Sequence, residues 1–111
     1  MAQNRNKLLD LFIGNISNAI VHKILENAID NKEIQSKYEK ELTTSFAIAM
    51  KYREKINPFS IPLPDHADVK QKITKRVRAE LLLRIARGYE GIKLEAMEQI
   101  IDEYLQKSSV V

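Results

Sequence analysis

Apolar residues recur along this chain at intervals of three and four, the spacing at which 100° per residue gathers side chains onto one face of a helix. The clearest run lies between Glu33 and Ile56. There Ile34, Tyr38, Leu42, Phe46, Ala49, Tyr52 and Ile56 share one side, and Glu33, Lys37, Lys40, Lys51, Glu54 and Lys55 the other. This pattern predicts an amphipathic helix. Asp30 is its expected N-cap, because Glu33 follows at capping-box spacing, and Glu33 also stands i,i+4 from Lys37. Pro58 stops the helix by disfavouring a helical Asn57 and supplying no N–H.

The first segment, from about Lys7 to Ile29, carries an apolar stripe that swings round the helix. Leu8, Leu9, Phe12, Ile13, Ile16, Ala19 and Ile20 share one face, whereas Val21, Ile24, Leu25, Ala28 and Ile29 lie on a face turned by more than a quarter of a revolution. Two readings fit: a break near Gly14–Asn18, or one continuous helix that buries different sides along its length. The second is favoured, since Ile16, Ala19 and Ile20 keep the phase of Leu9 and Phe12 across Gly14. Either way the stripe offers more apolar perimeter than one side of a bundle needs. Leu9, Phe12, Ile16, Ile20 and Ile24 are therefore candidate contacts of a homodimer.

After Ile56, the stretch Asn57-Pro58-Phe59-Ser60-Ile61-Pro62-Leu63-Pro64 has no helical period and reads as an extended strap. Eight residues at the polyproline rise of ~3.1 Å reach about 25 Å, enough to cross one end of a bundle. Phe59, Ile61 and Leu63 are expected to cover the core, and Pro58 and Pro62 are too far apart for a PxxP ligand. Asp65 is the expected N-cap of a third helix from His66 to about Arg87, with Val69, Ile73, Val77, Leu81 and Ile85 as its buried stripe. Gly88 is a plausible C′ residue, and beyond Gly91 a fourth helix runs from Ile92 to about Gln106 with Leu94, Met97, Ile101, Tyr104 and Leu105 inward. So short a connection makes the last two helices antiparallel neighbours. The sum is an all-α fold: a small antiparallel helical bundle of about four segments in one domain over 1–111, with flexible ends at about 1–5 and 108–111.

Composition narrows the classes. With 111 residues, 44% hydrophobic and 30% charged, the chain matches one globular domain rather than a disordered one. No apolar run approaches the ~20 residues of a membrane span, and Asp10 interrupts the N-terminal segment where a secretion signal needs its apolar stretch. A cytoplasmic protein with no membrane partner is the expectation. Zero Cys removes disulfide scaffolds, Cys-ligated zinc and thiol nucleophiles.

Charge is uneven although the net is only +3. From Lys70 to Arg87, seven cations (Lys70, Lys72, Lys75, Arg76, Arg78, Arg84, Arg87) meet a single acid, Glu80. Lys72, Lys75, Arg76 and Arg78 fall together on the side away from the buried stripe, a face able to lie along a phosphate backbone. The plainer reading is a solvated face partly neutralised by the acidic fourth helix, which carries Glu95, Glu98, Asp102 and Glu103. A helix-turn-helix is rejected, because its recognition helix would be that acidic one.

Chemistry-bearing sets are sparse. His22 precedes Glu26 by four residues, but Lys23 and Asn27 share the arc, so an exposed structural pair is expected. His66 stands between Asp65 and Asp68, whose carboxylates already serve the helix start. No Glu-x-x-His, zinc signature, Gly-rich phosphate loop or Gly-x-Ser-x-Gly elbow occurs, and no cofactor is implied.

The order of long helix, Pro-containing link, helix, Gly turn and short helix is similar to that of the small all-helical chorismate mutases. That resemblance covers length and element order, and implies a cofactor-free enzyme whose Arg and Lys side chains grip a dicarboxylate. Asp65-His66-Ala67-Asp68-Val69-Lys70 holds no Arg–Glu pair where that family carries one after the link. Three functions thus stand: a self-associating, non-enzymatic helical interaction protein; a nucleic-acid-binding protein using the basic third helix; and a small cofactor-free enzyme with a buried Arg or Lys facing a pocket.

Overall fold

The computed structural model describes residues 5–111. It is all-α, with α1 (Arg5–Ala28), α2 (Lys32–Ile56), α3 (His66–Ala86), a 3₁₀ turn (Leu94–Ala96) and α4 (Met97–Lys107). The long axis of the molecule is 44 Å.

The swinging stripe of α1 has a simple cause. This helix is continuous and lies among the other three, packing most extensively on α2, then on α3, and also on α4. Leu9, Phe12, Ile13, Ile16 and Ile20 are buried at its N-terminal and central turns, and Val21, Ile24 and Leu25 at its C-terminal turns. Each face meets a different neighbour. At Gly14, in mid-helix, the Arg76 guanidinium lies 2.9 Å from where a Cβ would sit. Contrary to the expectation from its short apolar runs, α1 is long and apolar enough to cross a bilayer by length and composition alone, at mean hydropathy 1.3. A core helix meets the same criterion, and 67% of that stretch is buried within the chain.

The start of α2 is one residue later than its capping-box spacing implies. Asn31, not Asp30, is the N-cap, and its Oδ1 accepts the N–H groups of Glu33 (2.9 Å) and Ile34 (3.2 Å). Asn31→Ala is expected to cost about 1 kcal/mol of stability, measured by urea denaturation. Along α2, Tyr38, Phe46, Tyr52 and Ile56 are partly buried against the core, whereas Ile34 is 41% exposed. Asn57 is extended ahead of Pro58, as that proline requires.

In the connection only Leu63 plugs the core. Phe59 and Ile61 are exposed, contrary to the expectation for the strap, because the chain first turns on itself with the Ile61 N–H donating to the Pro58 carbonyl (3.0 Å). Asp65 also departs from its expected role. It makes no side-chain cap; its carboxylate instead takes both Arg5 nitrogens (3.0 and 3.3 Å), which holds it below the usual carboxylate range. Helix α3 buries Val69, Ile73, Val77 and Leu81, but Ile85 of the expected stripe is exposed.

Both later helices end in Schellman motifs. At α3, Gly88 is left-handed (φ 98°), Gly88 N–H donates to Ile85 O and Tyr89 N–H to Arg84 O. At α4 the left-handed residue is Ser109 (φ 55°), and Val110 N–H returns to Leu105 O at 2.9 Å. The C-terminal segment is therefore not a flexible end: Ser108 and Val110 are wholly buried, and Val110 O accepts the Leu63 N–H. At the other end, 1–4 lie outside the described residues and Arg5 opens α1. The fourth helix begins later than expected because Gly91 (φ 80°) passes against α1, where a Cβ would sit 2.8 Å from the Ala28 carbonyl oxygen. Helices α3 and α4 run side by side, Lys70 reaching Asp102 at 2.9 Å and Glu98 at 3.5 Å.

Candidate interaction surface on the third helix

The five residues expected to join two copies through α1 lie inside one chain. Leu9, Phe12, Ile16, Ile20 and Ile24 are at most 5% exposed. Their apolar surface is spent on α2, α3 and α4, which corrects the reading of α1 as a surplus face.

The basic face is less uniform than its sequence. Lys72 pairs with Asp68 one turn earlier (3.3 Å), and Lys70 is held by α4. Arg76 leans toward α1 over Gly14, at the lip of a crevice of about 290 Å³ lined by Gly14, Ser17, Val21, Ala79 and Glu80. Lys75 and Arg78 are exposed and make no ion pair among the described residues. Of the four predicted contacts, Lys72, Lys75, Arg76 and Arg78, only Lys72 shares its charge with an acid among the described residues.

Just beyond them is a feature the sequence reading missed. Leu82 and Leu83 are 44% and 46% exposed, flanked by exposed Ala79, Ile85 and Ala86. Ala79, Leu82, Leu83 and Ala86 follow the i, i+3, i+4, i+7 spacing of a second apolar stripe, on the side opposite Val77 and Leu81. That spacing was available in the sequence. The cations interleaved on the same face mask it.

The histidines make contacts within the chain. His22 is buried rather than exposed, and its partner is Glu41 of α2, not Glu26: Nε2 lies 2.7 Å from the Glu41 carboxylate, and Nδ1 lies 2.8 Å from the Asn18 carbonyl. With both ring nitrogens committed, the side chain ties α1 to α2 and has none left for a ligand. His66 Nδ1 faces the Leu63 carbonyl at 3.1 Å. Among the described residues no three His, Asp or Glu side chains are grouped as a metal would require.

Arg53 was also missed. It is wholly buried at the end of α2, in phase with Ala49 and Ile56. One nitrogen donates to the carbonyl and side-chain oxygens of Asn57, the other to Ile61 O (3.0 Å) and Ser109 O (2.6 Å), while Phe59 stacks on the guanidinium. A buried Arg facing a pocket was the mark expected of an enzyme similar to the chorismate mutases. This one faces peptide carbonyls and binds the chain to itself. Comparison with protein-family models, curated proteins and solved structures gives no match for this chain.

Proposed function

We propose that this chain is a non-enzymatic helical interaction protein that associates with itself, and that its contact surface is the outer side of α3. The observation carrying this reading is the exposed Leu82–Leu83 stripe: a helix apolar on two opposite sides is at home only when both are covered. The neighbouring Lys75 and Arg78 would form the polar margin of such a contact. Sedimentation equilibrium across a wide concentration range tests it, with reversible self-association expected and a strict monomer counting against it.

A second reading rests on Lys75, Arg76 and Arg78, none of which makes an ion pair among the described residues. Electrostatic nucleic-acid binding would then weaken steeply with salt, by about 0.9 in the log–log slope for each phosphate contacted on duplex DNA. Replacing Lys72, Lys75, Arg76 and Arg78 together by Ala tests this, read as oligonucleotide affinity across a salt series. With Lys72 already paired to Asp68, the expected change in slope is about 3, not 4. An unchanged slope removes the reading.

A further inference from the structure

The occupant of the α3 outer face follows from how charge is arranged around its apolar stripe. Glu80 and Arg87 lie seven residues apart, hence at almost the same angle round the helix, on the same flank of Leu83 and Ala86. Both are exposed, and neither makes an ion pair among the described residues. Opposite charges one heptad apart on one flank complement the same helix turned end for end. In antiparallel helix pairs, flank residues of this type meet their own kind from the other chain, so Glu80 of each copy falls against Arg87 of the other, twice over. The small Ala86 side chain leaves room into which a Leu83 side chain can pack, letting the backbones approach closely.

The cations decide the orientation. A parallel pair would lay Lys72, Lys75, Arg76 and Arg78 of two copies beside one another, like charge against like charge. End-for-end pairing about the C-terminal half of α3 carries those residues to opposite ends of the contact. Leu82, Leu83 and Ala86 are exposed, and at Ala79 and Glu80 the face borders the crevice shared with α1.

We propose that α3 pairs with α3 of a second copy in an antiparallel, two-fold arrangement, Leu83 of each chain seated against Ala86 of the other and Glu80 of each facing Arg87 of the other. Such a contact is isologous and closes at a dimer. This rests on the self-association reading above and adds the mode of pairing to it.

The test is a charge swap read by sedimentation equilibrium on the whole chain, with circular dichroism to check that each variant keeps the parent's helicity and melting point. Glu80→Arg and Arg87→Glu are each expected to weaken dimerisation roughly tenfold, since each turns two attractive pairs into two repulsive ones. The double variant E80R/R87E restores parental affinity, and Leu83→Glu abolishes the dimer. A parallel pair gives a different signature: Glu80→Arg weakens it against Lys75, whereas Arg87→Glu does not. Loss in both single variants with recovery in the double one supports the proposal. A dimer indifferent to Leu83→Glu, or double-variant affinity no better than the singles, overturns the pairing while leaving self-association intact. A parent that stays monomeric to about 0.5 mM overturns both.

Discussion

Arg53→Ala is expected to lower the stability of the fold by about 3–5 kcal/mol, enough to drop the melting point by on the order of 15 °C or more. The magnitude comes from what the guanidinium satisfies. Its two terminal nitrogens serve four oxygens contributed by Asn57, Ile61 and Ser109, from the end of α2, the Pro-containing link and the C-terminal tail. Hydrogen bonds from a charged donor contribute about 1.5–3 kcal/mol each, and a buried carbonyl that loses its donor keeps its full desolvation cost. Burial pushes the Arg53 pKa down, yet a guanidinium starts so far above neutrality that the donor stays charged. The position also explains why Ser109 can hold a left-handed conformation that glycine would adopt more readily: its carbonyl is gripped at 2.6 Å. Arg53→Lys should recover less than half the loss, because one compact ammonium cannot bridge Asn57 on one side and Ile61 with Ser109 on the other. Amide exchange locates the damage. The N–H groups of Leu63 and Val110, which join link to tail to α4, should lose protection before the α1 core does. Equal exchange at those two amides in variant and parent would show that the tail is held by Val110 burial alone.

The sequence showed the helices more plainly than what each one faces. Period and punctuation were enough for four helical segments, for the stop at Pro58 and for the left-handed Gly88, because those depend on neighbours a few residues away. Arg53 escaped because a charged residue in phase with Ala49 and Ile56 is ordinarily read as facing water; the carbonyls of the link and of Ser109, 56 residues further on, account for its burial. The tail escaped for a related reason: Ser109 stands where a glycine would have announced the turn. Asn31 stands as cap in place of Asp30 because two adjacent residues could each serve, and spacing alone does not choose between them. The candidate site inverted. Breadth of apolar surface on α1 was read as a face for a partner, whereas three neighbours in the same chain use it all. The true outer apolar stripe, Leu82 and Leu83, sat unremarked among arginines.

That inversion yields the second large effect. Phe12→Ala is expected to destabilise the chain by about 3–5 kcal/mol, the cost of emptying a fully buried aromatic site, and to do so equally at every protein concentration. Had Phe12 joined two copies, as its place on the α1 stripe suggested, the loss would track mass action, shrinking as concentration rose, and the separated chains would remain folded. Leu83→Ala provides the contrast. Its side chain is nearly half exposed, so folding of the single chain should change by no more than about 0.5 kcal/mol while any dimer weakens. Chemical denaturation of both variants at two widely separated concentrations distinguishes the roles: Phe12→Ala shifts the midpoint in parallel with the parent, and Leu83→Ala removes whatever concentration dependence the parent shows. If the two variants behave alike, the division between an α1 that holds the chain to itself and an α3 that offers it to another copy fails.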